Sequence, residues 1–171
     1  MSKNVPEQSG GAERHIPIRY LPKRLTRKDR KQQYQQLLLS RKAYKKGRYI
    51  SRRTVSSYPH RPSRHLFDLQ KIYGVKNGAP SKHLAQATGC SIAAMKQIVR
   101  KGEGAYYSSG SRPNQTAQSW GIARLASSLT GGKAAAVDYR ILEAGCDPKK
   151  RAMRLARQSR KRNGFGRHRV P

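Results

Sequence analysis

Positively charged side chains are the residues whose number and spacing could do chemistry in this sequence. The chain has 38 Lys and Arg against 8 Asp and Glu, which gives a net charge of +30 over 171 residues. Each cation that neutralises a phosphate releases counterions, so this density favours a polyanionic partner, either nucleic acid or an acidic protein face. The polyanion-binding side chains are predicted to be Arg41, Lys42, Lys45, Lys46, Arg52, Arg53, Arg112, Arg151, Arg154, Arg157, Arg160, Lys161 and Arg162.

Two tyrosines lie in a stretch rich in Gly and Ser that runs from Gly102 to Thr116. Gly102 is expected to end the preceding helix, which makes this stretch a loop. Tyr106 or Tyr107 would then stack on a base, while backbone amides, hydroxyls and Arg112 face an anion. The composition fits equally well an ordered structural loop that places one tyrosine in the core.

Patterns typical of catalysis or metal binding are missing from the sequence. The acidic residues are scattered singly, and no Cys-x-x-Cys, His-x-x-His or His-Glu-x-x-His spacing occurs. A phosphate-binding loop at Gly132 and Lys133 is excluded, since Ser127 replaces its first Gly and Ala134 replaces its Ser or Thr. We therefore predict a non-enzymatic protein with no catalytic residue, no cofactor and no metal ion.

Cys90 and Cys146 are the two cysteines, too few for the disulfide-dense framework of a small secreted domain. They are expected to be buried as small hydrophobic residues with free thiols, in a reducing compartment. Residues 1–11 are polar, and no apolar run approaches the ~20 residues that a membrane helix needs. The protein is therefore expected to be soluble or particle-bound, without a membrane span.

The charge is concentrated toward both ends of the chain. Residues 1–65 carry 18 basic and 3 acidic side chains, residues 66–147 carry 10 and 5, and residues 148–171 carry 10 and none. Basic ends of this kind are expected to be extended until an anionic surface orders them. We therefore divide the chain into an extended basic arm (1–25), a basic amphipathic helix with an irregular strap (26–64), a compact helical core (65–146) and a basic helix with a tail (147–171).

Helix start and stop signals recur along the chain, whereas no alternating strand pattern persists, so the predicted fold class is all-α. Capping residues at Thr26, Ser81, Ser91 and Thr116 begin four of the helices. The predicted helices span 27–46, 65–73, 82–87, 92–101, 117–129 and 133–144, and a final one begins with Asp147 as cap and Pro148 in its first turn. Side chains predicted to share an apolar face are Tyr34, Leu37, Leu38 and Tyr44 in the first helix and Ala134, Val137, Ile141 and Leu142 in the sixth.

Residues 84–98 have the most specific local pattern, that of a helix-turn-helix hairpin. Ala85 stands where the second helix crosses the first, Gly89 follows at a left-handed turn, and Met95 and Ile98 supply buried positions, with Leu84 and Cys90. The outward side chains would be short, with little capacity for base readout: Ser91, Ala93, Ala94, Lys96 and Gln97. The alternative is a packed hairpin in a small core that reads no groove.

The final predicted helix carries a basic stripe, formed by Arg151, Arg154, Arg157 and Lys161 at intervals of three or four residues. The narrow apolar side consists of Ala152, Leu155 and Ala156. Such a stripe suits a phosphate backbone or an acidic protein surface. The alternative is a solvated helix face, which is less favoured because the basic run continues to Arg169 without an acidic residue.

Four segments resemble a family of small basic proteins of unassigned function, encoded by large DNA viruses of algae and protists and by some phages. They are Ser40-Arg41-Lys42-Ala43-Tyr44-Lys45-Lys46-Gly47, the stretch 102–116, Ser119-Trp120 and Ala123-Arg124-Leu125-Ala126. The most specific part is Tyr-Tyr-Ser-Ser-Gly-Ser-Arg-Pro-Asn-Gln-Thr. The resemblance covers residues 16–146, leaves the final helix outside and brings no activity that can be carried over residue by residue.

The resemblance implies a viral context, in which a small basic protein is expected to belong to the particle. We expect a minor capsid or inner-shell component whose partners are other virion or capsid proteins and, mainly without sequence preference, nucleic acid. It would reside in the virion, and in the host nucleus or cytoplasm before assembly. A helix-turn-helix DNA-binding protein for transcription or genome packaging is the first alternative, and a ribosomal-type RNA-binding protein is the second.

Overall fold

The computed structural model describes residues 15–164, and all regular secondary structure in that range is helical. Its eight helices are α1 (Arg27–Tyr44), α2 (Arg64–Tyr73), α3 (Lys82–Thr88), α4 (Ile92–Ser108), α5 (Ala117–Leu129), α6 (Lys133–Val137), α7 (Tyr139–Gly145) and α8 (Arg151–Arg162). The predicted all-α fold class is confirmed. The strap, residues 48–63, joins α1 to α2 without helix or strand, as its composition predicts.

The four predicted capping residues begin the helices to which they were assigned. Thr26, Ser81, Ser91 and Thr116 each accept a hydrogen bond from the backbone N–H of the third residue of the helix that follows. A cap of this kind is worth about 0.5–2 kcal/mol relative to alanine. Between α3 and α4, Gly89 has a φ of +74°, the left-handed conformation that the hairpin turn requires.

The core is built around the crossing of α4 and α5, where Ile98, Leu125 and Leu129 are fully buried. A Cβ at Gly102 of α4 would lie 2.6 Å from the Cα of Gly121 in α5. The two backbones are therefore in direct contact at this crossing. Helix α4 continues through Gly102 to Ser108, so its predicted end at Gly102 is wrong, and the loop before α5 shortens to 109–116. Glycine serves close packing here instead of helix termination.

Two glycines only two positions apart in α4 should respond differently to substitution. Gly102→Ala should destabilise the fold by about 1–3 kcal/mol, because the added methyl meets the backbone of Gly121, which cannot move aside without shifting α5. Gly104→Ala is the control, since its nearest neighbour would be the Tyr44 hydroxyl at 3.7 Å. Removing a helical glycine there should be neutral or stabilising by up to about 1 kcal/mol. Urea unfolding of both variants tests this, and equal stabilities would contradict the crossing.

The predicted helix over 133–144 is divided into α6 and α7 at Asp138. The Asp138 side chain enters the core and binds Arg124 of α5 and Lys101 of α4 through its carboxylate. Because the chain turns at Asp138, the side chains of residues 133–144 that face the core differ from those predicted. Val137 is 45% exposed, while Ala135 and Ala136 are buried in its place.

A disulfide between Cys90 and Cys146 joins the hairpin turn to the segment between α7 and α8. The two cysteines face each other in an isolated antiparallel bridge, in which Ser91 N–H donates to the Gly145 carbonyl and Asp147 N–H to the Gly89 carbonyl. Both residues are buried, as predicted. The prediction of two free thiols is wrong, because backbone pairing between distant segments brings the sulfurs together, and the inferred reducing compartment loses that support.

Helix α8 begins later than predicted and is part of the core. Asp147 is engaged in the bridge with Gly89, and its carboxylate accepts a hydrogen bond from Lys149 N–H, so the helix begins at Arg151. The predicted Asp147 cap is therefore wrong. The residues of α8 that pack against α5, α6 and α7 are Ala152, Met153 and Ala156, each at most 1% exposed. The predicted C-terminal basic helix is therefore present, but through residue 164 it packs into the core instead of extending from it as an arm. Residues 165–171 lie outside the described range.

The predicted N-terminal arm is also packed over the part that is described. Tyr20, Leu21 and Leu25 are buried, and Tyr20 contacts Trp120 of α5 edge-on, with 6.0 Å between the ring centroids. Residues 16–25 therefore cover the start of α5 instead of extending away, because they carry enough apolar surface to pack. Residues 1–14 of the predicted arm lie outside the described range.

Candidate polyanion-binding surfaces

Helix α1 holds the strap, the segment before α1 and Ser111 through a buried polar stripe. Asp29, Gln33 and Ser40 are at most 5% exposed, together with Leu37 and Ala43, whereas Tyr34 and Leu38 are exposed. The predicted apolar face of α1 is therefore wrong for Tyr34 and Leu38. The polar side chains bind irregular backbone that has no ladder partners of its own. Asp29, for example, has its pKa held below the usual range by the Ser57 side chain and by Ser57 N–H, which donates to the carboxylate at 2.7 Å.

Arg52 is half-buried and fastens the strap to α1 and α4. Its guanidinium donates to Ser40 Oγ, to the Tyr106 carbonyl and to Ser111 Oγ at 2.8–3.1 Å. The same group lies over the Tyr106 ring, 3.7 Å from its centroid. Burial lowers the pKa of Arg52, while the neighbouring Tyr106 opposes that shift. The structure therefore gives Arg52 a structural role within the fold in place of the predicted contact with a polyanion.

Tyr106 cannot stack on a base, because it lies on α4 and is fully buried. Its hydroxyl accepts a hydrogen bond from the backbone N–H of Arg52 at 3.0 Å. Residues 102–116 were predicted either to present a tyrosine to a base or to place one tyrosine in the core, and Tyr106 follows the second alternative. Tyr107, half-buried on the next position of α4, keeps an accessible part.

The remaining predicted cations divide into half-buried and exposed groups. Arg41 is half-buried and donates from Nε and Nη2 to the Ser109 carbonyl, at 2.9 and 2.6 Å, which closes the end of α4. Arg160 is half-buried, with its guanidinium 4.3 Å from the centroid of the Tyr139 ring. The exposed ones are Lys42, Lys45, Lys46, Arg53, Arg112, Arg151, Arg154, Arg157, Lys161 and Arg162.

The first exposed surface combines cations with aromatic rings where α1 meets the strap. The Tyr49 ring packs edge-on against Tyr44 and Tyr107, with centroid distances of 5.9 and 5.1 Å, yet Tyr49 remains 68% exposed. We call Lys45, Lys46, Arg48, Tyr49 and Tyr107 the strap surface. Rings set among cations can stack on bases while the charges contact phosphate. In the sequence Tyr49 lies among basic residues, but so does Tyr58, and the sequence alone does not show that Tyr49 is the exposed ring.

The second surface lies on α8 and consists of Arg151, Arg154, Arg157 and Lys161, which we call the α8 surface. All four are exposed, on the side of α8 opposite its buried Ala152 and Ala156. Since the apolar side packs into the core, the cations are held on a fixed helix. Within α8 there is no acidic residue to neutralise them.

The two surfaces lie toward opposite ends of α5. The strap surface adjoins the last turn of α4, which the short segment 109–116 connects to the start of α5. Near the other end of α5, Ser159 of α8 donates to the Gly132 carbonyl at 2.6 Å. Helix α5 has 13 residues, about 20 Å at 1.5 Å per residue.

The helix-turn-helix hairpin has the predicted interior and a smaller outward face than expected. Leu84, Cys90, Met95 and Ile98 are buried, and Ala85 packs against them. Ser91, Ala93, Lys96 and Gln97 are exposed, but Ala94 is only 6% exposed. Its burial has a physical cause, because Gly145 of α7 lies directly against the Ala94 methyl. Lys96 and Gln97 are therefore the two of these exposed side chains that are long enough to reach base edges.

Two other kinds of site receive no support from the described residues. Within 15–164, no three His, Cys, Asp or Glu side chains come together in a way that could hold a metal ion. None of the helices in the same range combines the length and apolar character needed to cross a membrane.

Together these features define a small all-α protein with two fixed cationic surfaces. Its sequence matches the family of unknown function DUF5824 over residues 17–152. Because this match covers most of the chain, the protein belongs to that family. The match extends into α8, six residues beyond the predicted limit of the resemblance. No curated protein and no solved structure matches the chain.

Proposed function

We propose that this protein is a non-enzymatic structural component of a virus particle, a minor capsid or inner-shell protein that binds polyanions. Nucleic acid is bound mainly without sequence preference, and acidic faces of other virion or capsid proteins are bound by the same kind of contact. The viral setting comes from the resemblance in the sequence, which also implies residence in the virion, and in the host nucleus or cytoplasm before assembly.

The observation that carries this proposal is the α8 surface. Four exposed cations share one side of a helix whose other side is packed into the core. A fixed row of charges gives up less conformational entropy on binding than a mobile tail, while it still releases counterions from the polyanion. The strap surface adds a second contact with an exposed aromatic ring, Tyr49.

A helix-turn-helix DNA-binding protein is the second candidate, since the hairpin of α3 and α4 has the required turn at Gly89. Sequence-specific reading would depend on Ser91, Ala93, Lys96 and Gln97. Ser91 and Ala93 are too short for bidentate contacts with base edges, which supply about 1–3 kcal/mol each of discrimination, so specific reading would depend on Lys96 and Gln97 alone. We therefore favour non-specific binding.

Two variants that remove equal charge distinguish the candidates. Arg151→Gln/Arg154→Gln should weaken duplex binding and reduce the slope of log affinity against log salt by about 0.9 for each phosphate that is no longer neutralised. Lys96→Gln/Arg100→Gln removes two exposed cations from α4 and should have the smaller effect. The measurement is fluorescence anisotropy with a labelled duplex over a range of salt concentrations. A larger effect of the α4 pair would favour the helix-turn-helix candidate.

A further inference from the structure

Helix α1 has leucines on its outer side and polar residues on its inner side. Leu38 and Leu39 are 38% and 54% exposed, and Tyr34 is 39% exposed, whereas Gln33 and Ser40 are buried. A surface helix ordinarily does the reverse. The inner stripe binds the backbone of the strap and of residues 20 and 111, whereas Tyr34, Leu38 and Leu39 each keep more than a third of their surface exposed.

The outer residues form a regular row along α1. Intervals of four, three, four, three and four residues connect Arg27, Lys31, Tyr34, Leu38, Arg41 and Lys45. This is the spacing at which one helix packs along another. The apolar pair Tyr34 and Leu38 lies in the middle, with the exposed Arg27 and Lys31 before it and the exposed Lys45 after it, while Arg41 is bound to the Ser109 carbonyl. A shallow groove beside Leu38 is lined by Arg41, Lys42 and Lys45.

We propose that this row binds an acidic amphipathic helix of a partner protein. Apolar side chains of the partner would cover Tyr34 and Leu38, and its carboxylates would face the cations at both ends of the row. The inference rests on the proposed function and specifies the kind of protein that would be bound. Helix-in-groove recognition of this kind is read through apolar anchors at intervals of three and four residues.

Charge and shape favour this occupant over three others. A second copy of the chain would bring Lys31 and Lys45 against like charges, on molecules that each carry +30. A phosphate backbone offers nothing apolar to cover Leu38. An anionic membrane would have to accept Lys31 and Lys45 in the same row as Leu38, which is too narrow an apolar strip for insertion.

The test uses two labelled acidic peptides of about 20 residues, roughly the length of α1, designed as helices. One has Leu at the two central row positions and Glu at the outer ones, and the other has Gln in place of both Leu. Full-length protein at physiological salt should bind the Leu peptide about tenfold more tightly, because only this peptide buries apolar surface. Leu38→Gln should abolish the preference, and Phe67→Gln, at a 66% exposed residue of α2, should leave it intact.

Two further probes, single-stranded oligo-dT and vesicles of anionic phospholipid, separate the inference from the proposed function. Oligo-dT should bind equally to wild type and Leu38→Gln. Equal affinity for both peptides, a preference that survives Leu38→Gln, or Leu38-dependent binding to vesicles alone would overturn the partner helix while oligo-dT binding still upholds the proposed function. Loss of binding to every anionic probe would overturn both.

Discussion

Asp138→Asn is expected to lower the free energy of unfolding by about 1.5–3 kcal/mol, the worth of hydrogen bonds to a charged group, because Asp138 is buried while Arg124 and Lys101 stay partly exposed. The carboxylate accepts from Arg124 Nε and Nη2 at 2.8 and 2.7 Å, from Lys101 Nζ at 2.8 Å and from Ser128 Oγ at 3.2 Å. Through these contacts Asp138, which lies between α6 and α7, connects that part of the chain to α4 and α5. An amide would leave both cations without their counter-charge.

The control is Glu143→Gln, which removes one negative charge from an exposed position of α7. It should change stability by less than about 0.5 kcal/mol, as most surface substitutions do. Urea unfolding followed by circular dichroism measures both variants. Equal stability of Asp138→Asn and Glu143→Gln would contradict the central role of this carboxylate.

The same carboxylate gives the fold an acid sensitivity with a definite sign. Burial by itself would raise the pKa of Asp138, but hydrogen bonds and charge from Arg124 and Lys101 outweigh it and hold the pKa below its ordinary value. Because the unfolded chain binds the proton first, the contribution to stability is complete above the unfolded pKa and is lost as pH falls through the folded value. Asp138→Asn should therefore show less loss of stability than wild type as the pH is lowered below about 4.

Reduction of the disulfide between Cys90 and Cys146 is expected to lower the free energy of unfolding by about 2–5 kcal/mol. The bond connects residues that are 56 positions apart and so restricts a long loop in the unfolded chain. In the folded chain it connects the hairpin turn to the segment that leads into α8. Loss of the bond should consequently loosen the attachment of α8 before the crossing of α4 and α5.

The matched control is the double variant Cys90→Ala/Cys146→Ala. Thermal unfolding is measured with and without reductant: the melting temperature of wild type should fall on reduction, whereas that of the variant should not respond. Hydrogen exchange should report increased opening in α8 of the reduced wild type. Identical melting curves for oxidised and reduced wild type would contradict the stabilising role of the bond.

Local signals in the sequence were sufficient for the features that depend on neighbouring residues. The four caps, the left-handed turn at Gly89 and the buried Met95 and Ile98 of the hairpin need only residues within a few positions of one another. The all-α fold class follows from the same signals, because every helix start has a polar cap or a turn before it and no strand pattern competes.

The errors have a common cause in partners distant along the chain. Gly102 looks like a helix stop unless Gly121 is known to lie against it. Asp138 looks like an ordinary surface residue until Arg124 and Lys101 meet it in the core. The disulfide likewise depends on the pairing of two segments that no short window of sequence contains.

The sequence predicts which kinds of residue form the candidate surfaces, but not which individual side chains are exposed. A long basic run guarantees that many cations remain exposed, and ten of the thirteen predicted ones are. The sequence could not tell that Arg52 is drawn inward by Tyr106, nor that Tyr49 is held outward by Tyr44 and Tyr107. Burial of a charged or aromatic side chain is decided by the tertiary contacts that it makes.

Binding of the full-length protein to two duplexes of unrelated sequence tests most directly whether it is a polyanion-binding structural component. The two affinities should agree within a few-fold at physiological salt, and both should fall steeply as salt is raised, because the contacts are with phosphates. A preference of about 1000-fold or more for one defined sequence at physiological salt would contradict the account and identify a sequence-specific DNA-binding protein.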